Sequence, residues 1–205
     1  MHLSKGKKIA LLITALLIVD QIIKIIIKTN MALGESISVA GDWFQIYFIE
    51  NNGMAFGMQF GGWLGKLILS SLRLVLIGFI IYYLWKLLRK NAPNGVLIGI
   101  SLVLVGAIGN IIDSVFYGVI FSASTFTDVA QIFPAGGGYS PLLFGKVVDM
   151  FYFPIVDTVM PDWVPIWGGE RFIFFRPIFN FADSCITVGV FYLILFQRRY
   201  FSKHA

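Results

Sequence analysis

The sequence predicts a multi-pass membrane protein built from α-helices: four transmembrane segments, with a small β element and an extended second loop outside. Three observations predict it. The chain has 205 residues, of which 58% are hydrophobic and only 13% charged, about half the roughly 25% charged content of a soluble domain. Four apolar stretches, at about 9–27, 63–88, 95–115 and 181–197, each approach the ~20 residues that cross a hydrocarbon core. The basic residues, finally, cluster beside these stretches rather than over the chain as a whole.

The first stretch follows Lys5, Lys7 and Lys8 and starts like a signal peptide. It runs long and lacks a small-residue cleavage site, which reads as an uncleaved anchor. Lys86, Arg89 and Lys90 lie between the second and third stretches, and Arg198, Arg199 and Lys203 follow the fourth, with no Asp or Glu in any of these three regions. The positive-inside rule therefore places both termini and the short 89–94 turn in the cytoplasm. The net charge of +5 is accounted for by orientation, with no nucleic-acid partner implied. All eleven acidic residues then fall in the outer segments or at the outer ends of spans.

The outer segments are about 28–62 and 116–180. In the first, Ile37 and Val39 alternate with polar residues and "DWFQIYFIE" is rich in aromatic and branched side chains; both read as short strands. "NNG" at Asn51–Gly53 is a turn signal. The second contains "PAGGGYSP" at 134–141, expected to be a flexible loop, and "MPDWVPIW" at 160–167, whose aromatic residues suit a membrane-interface belt. There is no internal repeat, P-loop or dinucleotide fingerprint.

Polar residues inside apolar stretches are expensive and point to function. In the third stretch Gly95, Gly99, Gly106, Gly109, Asn110 and Asp113 share one helical face at about 100° per residue. Small residues let helices approach closely in lipid; this stripe ends in two polar side chains. The fourth stretch opens with the same spacing, Asn180 and Asp183, so N-x-x-D occurs twice, in "GNIID" and "FNFAD". Asp20, Lys24 and Lys28 stand at i, i+4 and i+8 on the first stretch; Asp20–Lys24 reads equally well as a structural ion pair. Asp149 sits in the apolar run "GKVVDMF". Lys28 and Lys66 read as snorkelling anchors, Arg73 as a structural partner or a snorkelling side chain, Cys185 as a packing residue, and Asp42, Asp128, Asp157 and Asp162 as solvated acids. With a single cysteine and histidines only at positions 2 and 204, no disulfide, His-based triad or interior zinc site is available, and no metal or cofactor is expected.

The blocks "DQIIK", "NNGMAFG", "GNIID", "VVDMF" and "FNFADSCITVG", in this order along nearly the whole chain, resemble the lipoprotein signal peptidases, or signal peptidase II. That resemblance implies one integral membrane peptidase domain over residues 1–205, in a bacterial inner membrane, with its active site near the outer face. It implies an intramembrane aspartic endopeptidase that removes the signal peptide of diacylglyceryl-modified prolipoproteins, cutting just before the lipidated cysteine. Carried over by motif, Asp149 and Asp183 are the catalytic aspartates; Asp20, Lys24, Asn51, Gly53, Asn110, Asp113 and Asn180 line or support the site. The outer strands at 35–60 correspond to a β-cradle over the substrate. The partners implied are lipidated prolipoproteins, membrane lipid and globomycin-type peptide inhibitors. Two features depart from the family pattern. Position 114 is Ser where an arginine is usual, with Arg73, Arg171 and Arg176 as candidate substitutes, and insertions at about 116–146 and 152–178 lengthen the second outer segment.

Paired carboxylates suit hydrolysis. Two like charges in low dielectric cannot both ionise easily, so they share a proton, and one can act as base while the other acts as acid. Asn110 and Asn180 are expected to hold them. A rival reading is an ion- or proton-coupled transporter using the embedded aspartates, for which a repeat of spans is missing. A second is a scaffold protein, which needs no paired embedded acids.

Overall fold

A computed structural model describes residues 3–52 and 62–204. Helix α1 (Lys5–Asn30) is capped by Ser4, whose hydroxyl accepts from the Lys7 amide. Strands β1 (Ser36–Ala40) and β2 (Phe44–Asn51) follow, then helix α2 (Gly62–Arg89). Helix α3 (Asn94–Ile112) starts immediately after Pro93, passes through a π turn (Asp113–Tyr117) and closes with the short α4 (Gly118–Ile120). Strands β3 (Val147–Tyr152), β4 (Val156–Val159), β5 (Arg171–Phe174) and β6 (Ile178–Phe179) lead into α5 (Phe181–Phe196) and α6 (Arg198–His204).

Three helical stretches, Lys5–Asn30, Gly62–Arg89 and Asn94–Ile120, are long and apolar enough to cross a membrane. The molecule is a mostly helical membrane protein with a small sheet region, rather than all-α. The first and third spans run longer than their apolar stretches, because helix continues through Lys28 at one end and through Asp113 at the other. The α3 stretch is the central one: 56% of its apolar window is enclosed, against 17% for α1 and α2. Leu11, Leu72, Phe79 and Phe191, on the other helices, are well exposed, as side chains that face lipid should be.

The glycine stripe packs α3 onto α5. A methyl at Gly99 would meet the Leu193 side chain, and one at Gly109 would come within 2.6 Å of Asp20 Oδ2 and 2.9 Å of Ala182 Cβ. Gly189 answers from α5, where a methyl would meet Gly99 O and Leu102 Cβ, each at 2.9 Å. At the other end, Ile77, Leu84, Leu87, Val96 and Leu97 form an apolar core between α2 and α3.

The sheet is assembled from both outer segments. Its order is β1-β2-β3-β6, all antiparallel, with Ile49 opposite Asp149 and Asn51 opposite Val147. Asp149 therefore lies on a strand, in the 116–180 segment between the third and fourth apolar stretches. Val, Met and Phe neighbours serve a buried strand as well as a helix, and a run this short has no decisive period. The inner face of the sheet, Phe48, Val148 and Met150, packs on Met31, Tyr117 and Phe121. Strands β4 and β5 form a separate hairpin.

From Gly138 on, the Gly-rich segment packs against the chain. It runs back along the end of α3, through Tyr139 N to Phe121 O (3.0 Å), Ser140 N to Gly118 O (3.0 Å), Leu143 N to Val115 O (3.2 Å) and Gly145 N to Ser114 O (2.9 Å). Side chains at Gly118, Gly138 or Gly145 would collide with this backbone, so these three glycines serve close approach, whereas Gly136 and Gly137 have open space around them.

Candidate active site

One face of α1 supplies a ladder of charge. Asp20, Lys24 and Lys28, one turn apart, are all fully buried. Lys24 Nζ lies 2.8 Å from Asp113 Oδ2 and 3.2 Å from Asp20 Oδ2, and donates to Asn110 Oδ1 at 3.0 Å. Asp20 Oδ1 accepts the Ala182 amide at 3.0 Å. Asp20–Lys24 is thus more than an ion pair at a helix end: it joins α1 to both α3 and α5. Gln21 completes the cluster, donating to Asp20 Oδ2 (3.0 Å) and Asp113 Oδ1 (3.1 Å) and accepting from Tyr117 Oη (3.1 Å). Asp113 Oδ2 also accepts the Val148 amide at 3.2 Å, which moors β3 to the helices.

The start of α5 explains the second N-x-x-D. Asn180 is the N-cap: its side chain accepts the Asp183 amide at 2.9 Å, and the Asp183 carboxylate accepts the Asn180 amide at 3.2 Å. This reciprocal capping box satisfies two amides that the helix cannot. Asn180 is fully buried and spends its two remaining donors sideways, on Asp149 Oδ1 at 2.6 Å and on Asn110 Oδ1 at 3.0 Å. Asn110 in turn donates to Asp183 Oδ1 at 2.8 Å. One asparagine therefore touches both aspartates, and the other holds Asp183 from α3.

Asp149 is buried, at 2% exposure, while Asp183 is half-buried. Asn51 donates to Asp149 Oδ2; it lies diagonally across β2 on the same face, two residues beyond the directly opposed Ile49. Burial first, and the Asp183 charge second, push the Asp149 carboxyl up to about 8. An apolar floor extends outward from this acid. Phe151 and Phe153 follow at alternate positions, with Phe153 stacked on Phe44 (4.6 Å between centroids) and on Phe179 (5.7 Å).

Of the residues singled out from sequence, Asp149, Asp183, Asp20, Lys24, Asn51, Asn110, Asp113 and Asn180 thus form one connected cluster. Gly53 lies outside the described residues. The solvated acids are where they were expected: Asp42, Asp128, Asp157 and Asp162 are exposed, and Asp157 pairs with Arg171 at 2.5 Å on the β4–β5 hairpin. That pairing takes Arg171 out of contention as a substitute for the arginine absent at Ser114; Arg176 is exposed, and Arg73 interacts electrostatically with Asp183. Ser114 itself is buried and bonds back to Asn110 O at 3.2 Å. Cys185 is a buried free thiol.

Sequence reading misplaced two lysines and missed several partners. Lys28 is not a snorkelling anchor but a fully buried partner of Glu50. Lys66 reaches inward to Asn52 Oδ1 (3.2 Å) and Gly145 O (2.7 Å). Gln21, Glu50, Tyr117 and Ser124 were not anticipated. The available signal was position: Gln21 adjoins Asp20, Glu50 adjoins Asn51, and Lys28 continues the i, i+4 ladder.

Comparison with known proteins bears on what such a cluster does. Residues 12–198 match the family model described as Signal peptidase (SPase) II. The lipoprotein signal peptidase of Porphyromonas gingivalis is 54% identical over 195 residues, covering 95% of this chain and 84% of that protein. The lipoprotein signal peptidase of Amoebophilus asiaticus is 36% identical over 184 residues, covering 88% and 73%. Among solved structures, a bacterial membrane enzyme determined by the in meso method at 2.3 Å resolution superposes with a TM-score of 0.62 at 25% identity, over 100% of this chain and 96% of that one.

Proposed function

The chain belongs to the signal peptidase II family, and from that premise we propose that Asp149 and Asp183 are the catalytic pair of an aspartic endopeptidase acting on diacylglyceryl-modified prolipoproteins. The protein is a membrane protease of lipoprotein processing; its relatives are peptidases by name, which leaves the transporter reading without support. The single observation that carries the assignment is Asn180, whose side-chain amide donates to the Asp149 carboxylate while its backbone amide donates to the Asp183 carboxylate.

The chemistry follows from the environments. Near neutral pH the pair keeps one proton, written here on Asp149 because burial holds its carboxyl up at about 8. Asp183, half-buried, takes a proton from water as the water oxygen attacks the scissile carbonyl. Asp149 donates its proton to the carbonyl oxygen, giving a neutral tetrahedral diol. On collapse the C=O bond reforms and the C–N bond breaks: Asp149 takes back a proton from one hydroxyl of the diol, and Asp183 gives its proton to the departing amine of the lipidated cysteine. Asn51, Asn110 and Asn180 keep the oxygens aimed, the positioning that hydrolysis at a fixed site requires. The aromatic floor of Phe44, Phe151, Phe153 and Phe179 suits an apolar substrate lying at the membrane surface. Arg73, which interacts electrostatically with Asp183, serves in place of the arginine absent at position 114.

Four spans, both termini in the cytoplasm of a bacterial inner membrane and a site near the outer face complete the proposal, as does a single domain over 1–205. α5 has only 16 residues, about 24 Å at 1.5 Å per residue, and α6 adds length beyond it. A globomycin-type peptide would compete for the same floor and acids. The test is single-turnover cleavage of a diacylglyceryl precursor by purified protein, beside unlipidated precursor. Cleavage of the lipidated form alone supports the proposal; no cleavage of either refutes it. Reporter fusions near Gly137 should read as outside and those after Lys90 as cytoplasmic, and a cytoplasmic reading at Gly137 would overturn the four-span arrangement.

A further inference from the structure

A second buried charge cluster lies on the far side of the sheet from Asp149. Lys28 pairs with Glu50 and donates to Ser124 Oγ at 2.9 Å. Ser124 Oγ donates to Glu50 Oε1 at 3.1 Å, and Lys146 approaches Glu50 Oε2 at 3.4 Å. The Lys28 ammonium also sits over the rings of Tyr139, at 5.1 Å, and Phe121, at 5.4 Å. Lys28, Glu50 and Ser124 are all but inaccessible, and none of them belongs to the blocks that carry the family resemblance.

Stability alone is a poor account of this cluster. Replacing a buried ion pair by apolar side chains is often neutral or stabilising, and the well-attested use of such pairs is to fix register. The register at stake is visible. Glu50 and Asn51 are successive residues of β2, so their side chains leave opposite faces of the sheet. Glu50 is gripped from α1 by Lys28; Asn51 grips Asp149. One turn earlier on the same face of α1, Lys24 grips Asn110, which grips Asp183. Lys24 and Lys28 are about 6 Å apart along the helix axis. The same rod therefore reaches both acids, Asp183 through α3 and Asp149 through β2.

We infer that Lys28 and Glu50 are positioning residues for the catalytic pair: they hold β2, and with it Asn51, at the height that brings Asp149 to Asp183. This rests on the peptidase reading above. Asp113 moors β3 at Val148 from α3; the Lys28–Glu50 pair sets the neighbouring strand from α1, and the two together fix where Asp149 stands.

The test compares Lys28→Met, Glu50→Gln and the double variant with the parent, as full-length protein in lipid nanodiscs. Leu97→Ala, in the α2–α3 core, is the control for lost stability. Tm and the kcat and KM for a diacylglyceryl precursor are measured for each. Displacement of a reacting group by an ångström costs up to about 100-fold, so kcat should fall about tenfold or more in each single variant, with KM within about twofold. The double variant should regain Tm, because no lone charge remains buried, while kcat stays low, because nothing sets the strand. A kcat that recovers along with Tm, or that falls equally in Leu97→Ala at matched Tm, would overturn the inference. So would parent-like kcat in folded Lys28→Met, or an effect confined to KM. If Lys28→Met does not insert, the nearly isosteric Glu50→Gln decides by the same criteria. A parent that leaves the precursor whole, or an Asp149→Asn variant that cleaves it normally, would overturn the peptidase reading and this inference with it.

Discussion

The two N-x-x-D copies, Asn110–Asp113 and Asn180–Asp183, have the same spacing and meet face to face, yet they do different things. The first lies where α3 passes into its π turn. Asp113 is fully buried there and spends its carboxylate on Lys24, Gln21 and the Val148 amide. The second lies at the start of α5, where Asn180 and Asp183 cap each other and Asp183 remains half-buried. Equal spacing gave equal side-chain direction, but a helix interior and a helix start impose different duties. An acid in the interior must be neutralised by fixed partners. An acid at the first turn is already served by backbone amides and keeps the freedom to exchange a proton.

The largest expected effect breaks the comparison if it fails. Asp183→Asn and Asp149→Asn should each abolish single-turnover cleavage while the protein stays inserted, because Asn is nearly isosteric and can neither accept the water's proton nor donate a carboxylic one. The double variant should be hardly worse, since groups acting as one unit are non-additive. Normal turnover in Asp183→Asn would move the search to Asp113 and erase the distinction between the copies.

Asp113→Asn should act first on stability. It weakens the pairing of a fully buried Lys24, and breaking a buried pair costs about 3–5 kcal/mol. Thermal unfolding should show a clear fall in Tm for Asp113→Asn and little change for Asp183→Asn; the reverse order would contradict the roles assigned here. Asn180→Ser sharpens the point further. Serine still caps a helix but cannot donate to both Asp149 and Asn110, so turnover should fall far more than Tm.

A pH series reports on Asp149. The Asp149 carboxyl is held up at about 8 by burial and by Asp183, whereas an unfolded chain releases that proton near pH 4, roughly the free-carboxyl value. The folded state thus binds the extra proton between those values, and its stability falls as pH rises across the window and levels off above it. In Asp149→Asn that slope should flatten when Tm is followed from pH 4 to 9. Cleavage by the parent should decline above about pH 8, an apparent value that belongs to the pair.

The smallest effect is expected at Asp157. It lies eight positions beyond Asp149, but it is exposed on the β4–β5 hairpin and its carboxyl is drawn down by its bond to Arg171. Exposed pairs contribute about 0–1 kcal/mol, so Asp157→Asn should leave turnover near the parent's. A large loss would give the hairpin a part in the chemistry.

Much of this site was legible in the sequence, because an acid in an apolar run cannot be incidental and the membrane taxes every such residue. Asp149 and Asp183, the glycine stripe facing α5, and the Asp20–Lys24 pair each announce themselves by residue type or helical spacing. The close approach of Gly138 to α4 was not legible, because glycine permits both freedom and close approach and composition does not distinguish the two. Lys28 was misread because a lysine near a span end usually reaches water; its carboxylate partner is 22 positions away, on a strand.

The sequence by itself determined which residues are polar within lipid, where the apolar segments run and which motifs they carry, since the transfer cost of a side chain is a property of that side chain. Only the tertiary structure decided that Asp149 stands on a strand, that Asn180 joins two acids 34 positions apart in the chain, and that Glu50 turns away from the site its neighbour Asn51 serves. Those are matters of register between elements distant in sequence. Strand alternation turns a one-residue step into the opposite face of a sheet, and that choice is made by the packing of the sheet on the helices.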